Sequence, residues 1–233
     1  TEVTFGGNTV GVPQDGSTVS IDGDFGTLEI SYDGEYTYTL NPGAFTTTVS
    51  LDPVASDVDG NQTSFTKNGI TVSIGDARPG SSISDGGDLK WKDSGAEGEG
   101  IGIGDNGSGD DKVWPRGEVL NVNPDQPAEE VVLTLADISP NNVGNPLSVE
   151  VYLQGNPVPV ELTYTVPNPA PADGIWEITL DSSDFGGQNI DHINLFNEPG
   201  DGSVSFTLNN VQVTYPACDC AEDEFQYTLT DGD

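Results

Sequence analysis

The sequence predicts an all-β protein, because short runs rich in Val, Ile, Thr, Tyr and Phe alternate between apolar and polar residues. This period of two is typical of strands with one buried face. In chain order the runs are TVSID, GTLEISY, EYTYTL, TVSI, EVVLTL, LSVEVYL, VELTYTV, GIWEITL, SVSFTL and NVQVTY. Turn clusters such as YDGE and NPAPADG separate them, and 30 glycines and 16 prolines supply turn residues. No sustained helical spacing of apolar residues is present, so antiparallel sandwiches are expected.

Two segments far apart in the chain share a pattern. DGEYTYTLNPG, at residues 33–43, and DEFQYTLTDGD, at residues 223–233, both place an acid and an aromatic residue before Tyr-Thr-Leu. The simplest account is one small sandwich, formed by residues 1–45 and 218–233, that is split by an inserted β domain at residues 46–217. Two tandem sandwiches that share a hairpin motif are the alternative.

The stretch GSTVSIDGDFGTLEISYDGEYTYTLN, with the closing YTLTDGD, resembles the VCBS or cadherin-like repeats of bacterial adhesins. The segments GIGIGDNG, WPRGEVLNV, EEVVLTLADI and WEITLDSSDFGGQNIDHINLF together resemble ligand-binding modules near the distal end of long RTX adhesins. In that family, split extender domains carry calcium-dependent peptide-binding domains, and sugar-binding domains occur nearby. The resemblance therefore implies a calcium-rich β-sandwich inserted into a smaller split Ig/cadherin-like β-sandwich. It also implies an extracellular adhesion protein of the bacterial cell surface and of biofilms, with other adhesin domains as neighbours in the chain.

The charge of the chain limits its partners. The net charge is −33, from 39 acids and 6 bases. Phosphate contacts to nucleic acid and binding to anionic membrane surfaces are therefore not expected. No apolar run is long enough to span a membrane. All six bases fall within residues 67–116, where nine acids leave a net charge of −3. If part of the protein surface has a positive electrostatic potential, we expect it in that window.

The glycine-rich stretch GIGIGDNGSGDDKVWPRGE, at residues 100–118, crowds Asp105, Asp110, Asp111 and Glu118 together. Calcium takes about six to eight oxygen ligands, and glycines allow backbone carbonyls to turn toward one ion. NGSGDDKVW also fits eight of the nine positions of a calcium-binding nonapeptide repeat, failing only at Asn106. We expect a calcium site here, with an exposed loop screened by solvent as the alternative.

Other acidic turns are further candidates for calcium ligands, although Asp and Gly also favour turns for conformational reasons. Several calcium ions are expected, which would relieve the self-repulsion of the chain. Zinc is not expected, because thiols and imidazole are nearly absent. The predicted metal ligands are Asp57, Asp59, Asp85, Asp88, Asp105, Asn106, Asp110, Asp111, Glu118, Asp181, Asp184, Asp191, Asp231 and Asp233.

The bases and two tryptophans near the calcium loop suggest how a ligand is held, with a buried core position as the alternative for each tryptophan. A calcium ion with an open coordination position can take a carboxylate or vicinal sugar hydroxyls. Arginines can clamp a carboxylate with two hydrogen bonds. A peptide or protein ligand that carries a carboxylate is therefore expected, with a glycan or a purely structural spacer as alternatives. The predicted ligand-binding residues are Arg78, Trp91, Asp105, Asn106, Asp110, Asp111, Trp114 and Arg116.

Catalysis has little support in the sequence. The metalloprotease, nucleophile-elbow and phosphate-loop motifs are absent. The single histidine, His192 in NIDHINLF, lies in an alternating strand, where a packed or surface residue is the ordinary expectation. Trp176 in GIWEITL is predicted to be a core residue. We therefore expect a binding protein and not an enzyme.

Overall fold

The computed structural model of the chain describes residues 1–40, 46–58, 62–76, 87–93, 98–104, 113, 117–171, 174–196, 204–216 and 224–228. Throughout these residues the regular structure consists of strands and single-turn 3-10 helices, without any α-helix. The prediction of an all-β fold is confirmed.

Eighteen strands lie within the described residues. They are β1 (Glu2–Phe5), β2 (Asn8–Gly11), β3 (Thr18–Asp22), β4 (Gly26–Ser31), β5 (Tyr36–Leu40), β6 (Thr47–Ser50), β7 (Ser64–Lys67), β8 (Ile70–Ile74), β9 (Asp88–Asp93), β10 (Glu99–Gly104), β11 (Val119–Pro124), β12 (Glu130–Ala136), β13 (Pro146–Leu153), β14 (Val160–Thr165), β15 (Trp176–Asp181), β16 (Ile190–Phe196), β17 (Thr207–Tyr215) and β18 (Gln226–Thr228). Short 3-10 helices occur at Ala55–Asp57, Pro140–Asn142 and Ser182–Phe185.

The chain divides into two compact units. The smaller unit consists of Thr1–Thr47 together with Pro216–Asp233, and the larger one of Thr48–Tyr215. The smaller unit contains two three-stranded sheets, with strand orders β18-β1-β2 and β3-β4-β5. Its core consists of Val3, Val12, Ile21, Leu28 and Ile30. The Phe225 ring also packs in this unit, with its centroid 4.9 Å from that of Phe5 and 5.9 Å from that of Tyr38.

The larger unit is a β-sandwich. One sheet, the β12 sheet, has the order β15-β12-β17-β10-β9, and β6 also pairs with β17. The other, the β13 sheet, has the order β14-β13-β16-β11-β8-β7. Apolar side chains from both sheets form a single core. Each sheet therefore has one face in this core and one face turned away from it.

The two ends of the larger unit meet on β6 and β17. The hydroxyl oxygens of Thr48 and Thr214 are 3.2 Å apart. A few residues further on, the Leu51 N–H donates to the Val211 carbonyl at 2.8 Å. The chain thus enters and leaves this unit through neighbouring strands.

Alternation along β13 decides which side chains turn away from the core. Leu147, Val149, Val151 and Leu153 belong to the core. The intervening side chains, among them Glu150 and Tyr152, must lie on the opposite face because successive side chains in a strand alternate. In β16, Ile193 and Leu195 belong to the core in the same way, which leaves His192 and Asn194 on the outward face.

Candidate ligand-binding face

The outward face of the β13 sheet carries a row of polar side chains from five strands. The ladders pair Glu150 of β13 with Glu161 of β14 on one side and with Asn194 of β16 on the other. Asn194 pairs in turn with Asn121 of β11, and Asn121 pairs with Ser73 of β8. Paired residues share a face, so these side chains are neighbours. We call this row, together with the adjacent Tyr152, Asp191 and His192, the polar face.

Tyr152 and His192 form a stacked aromatic pair on this face. They are register partners on β13 and β16, and their ring centroids are 4.0 Å apart with an interplanar angle of 13°. His192 Nδ1 lies 2.9 Å from Asp191 Oδ2, which fixes the imidazole from a second side. The His192 side chain remains 35% exposed, so the pair forms a fixed ring surface that a ligand can reach.

Glu150 provides an oriented carboxylate beside the rings. The residue is only 4% exposed. Asn194 Nδ2 donates to its Oε2 at 2.9 Å, and the Tyr152 hydroxyl donates to the same oxygen at 3.4 Å. A buried carboxylate requires such hydrogen bonds, because its desolvation is costly. The amide and the tyrosine therefore hold the carboxylate in one position on the face.

Asn121 adds an acceptor to the same row. Its Oδ1 is buried and has no hydrogen-bond partner within the described part of the chain. The space beside it is narrow, since a Cβ added to Gly75 would lie 2.6 Å from this oxygen. A buried acceptor without a donor is unfavourable. A hydroxyl or water molecule that donates to this oxygen would remove the penalty.

A small pocket lies at the β14 end of the polar face. Its volume is about 160 Å³. The strand pair β13–β14 forms most of its wall, and Phe196 of β16 contributes the remainder. The lining residues are Ser148, Val149, Glu161, Leu162, Thr163 and Phe196. The pocket thus combines hydroxyls, a carboxylate and one aromatic residue.

The lysines of the described ranges lie away from this face. Lys67 of β7 shares the core side of its strand with Phe65, and its Nζ is 2.9 Å from Asp57 Oδ2. Lys90 and Lys92 belong to β9 of the other sheet, where the Lys92 Nζ is 3.8 Å from Asp137 Oδ2. Among the described residues, the polar face thus carries the acids Glu150, Glu161 and Asp191 and no lysine.

The predicted metal ligands near Lys67 and Lys90 have lysine partners. Asp57 accepts hydrogen bonds from Lys67 Nζ and from the Val54 N–H, both at 2.9 Å. The hydrogen bond from Lys67, more than any other interaction, lowers the pKa of the Asp57 carboxyl. Asp88 Oδ2 lies 4.0 Å from Lys90 Nζ.

The three acids predicted from LDSSDFGGQNID have different surroundings. Asp181 ends β15 and caps the following 3-10 helix, where it accepts from the Ser183 N–H at 2.7 Å. Asp184 lies within that helix, and Asp191 contacts His192 on the other sheet. Over the described residues, no three His, Cys, Asp or Glu side chains are grouped so that they could hold a metal ion.

Two other predicted site residues are described. Glu118 precedes β11 and is 6% exposed. Trp91 lies on β9 opposite Ile101 and packs against the core while partly buried. The rest of the predicted metal and ligand-binding residues lie outside the described residues: Asp59, Arg78, Asp85, Asp105, Asn106, Asp110, Asp111, Trp114, Arg116, Asp231 and Asp233.

The polar face was not predicted as a site, although the sequence contains its signal. LSVEVYL places Glu150 and Tyr152 between core residues, and NIDHINLF does the same for His192 and Asn194. Polar or aromatic residues at the outward positions of several strands indicate a functional face when those strands are neighbours. The strand order shows that β13 and β16 are neighbours in one sheet, which the sequence alone does not show.

Comparisons with known proteins gave solved structures of low similarity and no relative by sequence. No family model matches the sequence, and no curated protein matches it. One similar structure is the family 32 carbohydrate-binding module from C. perfringens NanJ in complex with galactose, at 15% identity and a TM-score of 0.32, covering 72% of this chain and 99% of the module. Another is from a study of promiscuous specificity in carbohydrate-binding modules of the β-sandwich superfamily, at 13% identity and a TM-score of 0.28, covering 88% of this chain and 89% of the other. Both TM-scores are low, so the function proposed below rests on the residues of this chain.

In the described part of the chain, no helix has the length and apolar character needed to cross a membrane.

Proposed function

We propose that this protein is a non-catalytic adhesion module whose larger unit binds carbohydrate through the polar face of the β13 sheet. The observation that carries this proposal is the stacked Tyr152–His192 pair directly beside the carboxylate of Glu150, which Asn194 and Tyr152 hold in place. A sugar ring has an apolar C–H surface that suits an aromatic ring. Its hydroxyl groups donate and accept, so they match carboxylate and amide side chains.

The charge of the face favours a sugar over a carboxylate-bearing peptide. Glu150, Glu161 and Asp191 would repel an anionic ligand, and the described lysines lie elsewhere. Recognition of a peptide carboxylate depends on Arg78, Arg116 and a calcium ion in the loop at residues 100–118. Those two arginines lie outside the described residues. Because the described part of the face offers an aromatic pair beside carboxylate and amide groups, we place carbohydrate ahead of the peptide that the family resemblance implies.

Calcium and a cell-surface location are parts of the same proposal. A net charge of −33 repels itself, and ions that bind only the folded chain would stabilise it. The resemblance to RTX adhesins supports a chain that works outside the bacterial cell, beside other adhesin domains. The glycan would then belong to a host cell or to a neighbouring cell.

A glycan array probed with and without calcium tests this function, followed by calorimetric titration of the glycans that bind. Tyr152→Ala and Asn194→Ala should each weaken binding at least about tenfold, because they remove a ring and the donor that orients Glu150. Tyr36→Ala is the matched control, since this tyrosine is 71% exposed in the smaller unit. Thermal unfolding would show that each variant is folded.

Two outcomes would contradict the proposal. The first is an array without any bound glycan while an acidic peptide binds the wild-type protein. The second is folded Tyr152→Ala and Asn194→Ala proteins that bind the selected glycan as tightly as the Tyr36→Ala control.

A further inference from the structure

The turn between β7 and β8 consists of only two residues, Asn68 and Gly69. Their φ angles are 51° and 76°, and Lys67 lies opposite Ile70 at the base of the turn. Asn-Gly is favoured in tight hairpin turns because both positions need a positive φ. Asn68 is exposed. The pair therefore occupies a fixed corner of the larger unit that water can reach.

The side chain of Asn68 joins this turn to β6, the first strand of the larger unit. Its Nδ2 donates to the Ser50 carbonyl oxygen at 2.7 Å. The Ser50 hydroxyl in turn contacts Asn210 of β17, with 3.0 Å between its oxygen and Asn210 Oδ1. A carbonyl can only accept a hydrogen bond, so the contact to Ser50 requires an N–H on residue 68.

An Asn-Gly pair is also chemically reactive. The backbone nitrogen of the glycine can attack the side-chain carbonyl carbon of the asparagine and form a C–N bond. The proton of the glycine N–H passes to the amide nitrogen, which leaves as ammonia. Water then opens the cyclic imide at one of its two carbonyls, which gives aspartate or isoaspartate. Glycine hinders the attack least, because it has no Cβ.

The backbone nitrogen of Gly69 is available for this attack. Its N–H donates to no group among the described residues, whereas its carbonyl accepts from the Asp125 N–H at 2.8 Å. Most backbone N–H groups of a folded chain are occupied by hydrogen bonds. We propose that Asn68 is a site of spontaneous deamidation by water, and that its conversion weakens the attachment of β6 to the β7–β8 turn.

Deamidation changes the contact with Ser50 in two ways. An aspartate has no N–H, so the Ser50 carbonyl loses this donor and faces a negative charge. The Asp125 carboxylate already lies against the turn, since a Cβ added to Gly69 would be 2.8 Å from Asp125 Oδ2. An isoaspartate also adds a carbon atom to the main chain, which a two-residue turn cannot accept without a shift of its strands.

Peptide mapping of the aged full chain tests the reaction. The protein is incubated folded, in mildly alkaline calcium-containing buffer made with water enriched in heavy oxygen, so that each newly formed acid is labelled. Conversion at Asn68 should be at least about tenfold faster than at Asn8 or Asn123, which are exposed but are followed by Thr and Pro. The other Asn-Gly pair, at residues 106 and 107, lies outside the described residues and is followed on its own peptide.

Asn68→Asp reproduces one product of the reaction and tests its effect on stability. The variant should unfold about 2–4 °C below the wild-type protein, because it loses a hydrogen bond worth about 1 kcal/mol. Asn123→Asp is the matched control, since it adds the same charge at an exposed position of the same unit. Its unfolding temperature should stay within about 1 °C of the wild-type value.

The two parts of the proposal fail separately. If Asn68 is labelled no faster than Asn8, the assignment of the reactive site is wrong. If Asn68→Asp unfolds at the same temperature as Asn123→Asp, the predicted effect on β6 is wrong. Neither measurement uses a glycan, so both results are independent of the proposed function.

Discussion

Asn194 and Glu150 lie directly opposite each other on β16 and β13, and the Asn194 amide donates to the Glu150 carboxylate at 2.9 Å. They are 44 residues apart in the chain. The hydrogen bond therefore depends on the register of the two strands. A shift of one residue would turn Glu150 into the core and leave its charge without this donor.

The first prediction concerns this donor. Asn194→Ala should lower the free energy of unfolding of the larger unit by about 1–3 kcal/mol, because it leaves a buried carboxylate short of a hydrogen bond. Asn123→Ala is the control, since Asn123 is exposed on β11 of the same sheet. Urea unfolding would measure both variants. If both variants lost the same free energy of unfolding, the hydrogen bond from Asn194 to Glu150 would make no specific contribution to stability.

The second prediction concerns pH. The pKa of Asp57 is lowered, chiefly by the hydrogen bond from Lys67, from an ordinary value of 3.8. A lowered folded-state pKa gives stability that is present above the unfolded pKa and is lost as the pH falls through the folded pKa. Asp57→Asn should therefore destabilise the larger unit at neutral pH, and the difference from wild type should disappear in strong acid.

A double-mutant cycle separates this ion pair from other effects of the substitution. In a Lys67→Met background, Asp57→Asn should cost less than it does in the wild-type protein. Thermal unfolding at several pH values would measure the four proteins. An effect of Asp57→Asn that is independent of pH, or unchanged by Lys67→Met, would exclude the ion pair as its cause.

The third prediction concerns close packing of β10 against β17. A Cβ added to Gly100 would lie 2.6 Å from the Leu208 carbonyl oxygen, so the backbone must shift. Gly100→Ala should destabilise the larger unit by about 1–3 kcal/mol. Gly11→Ala is the control, because a Cβ there meets nothing within 4 Å. A Gly100→Ala protein as stable as the control in chemical denaturation would contradict the prediction.

The fourth prediction concerns calcium. Chelation with EDTA at low salt should lower the unfolding temperature, because the charge of −33 loses its bound counter-ions. Added calcium should restore the temperature, and added magnesium should do so less well, because magnesium requires a stricter geometry. High sodium chloride should reduce the effect through screening. An unfolding temperature that is unchanged by EDTA at low salt would remove structural calcium from the proposal.

The sequence predicted the fold class because strand periodicity is a local property. Alternation in LSVEVYL identifies Leu147 and Val149 as core residues without knowledge of the neighbouring strands. The partners of Tyr152 could not be predicted in this way. Its stacking on His192 depends on which strands lie side by side, and tertiary packing decides that order.

The candidate site shows the same division between local and long-range information. His192 was expected to be an ordinary packed or surface residue, since one imidazole in an alternating strand carries no signal by itself. Its significance comes from Tyr152 and Asp191 beside it. Trp91 was expected beside a ligand because it shares the basic window with the glycine-rich loop, with a core position as the alternative. It is partly buried and packs against the core, and its contact with a ligand stays a prediction.

The pairing of β1 with β18 has a mechanical consequence for the smaller unit. Glu2 faces Thr228 and Thr4 faces Gln226, so the start of β1 and the end of β18 lie at the same end of the ladder. A force that pulls residues 2 and 228 apart would therefore break the hydrogen bonds of this ladder one at a time. If the strands were pulled along their length in opposite directions, all the hydrogen bonds would share the force, and a larger force would be needed. The β1–β18 pair is therefore expected to separate at low tension and to lengthen the chain before the larger unit unfolds.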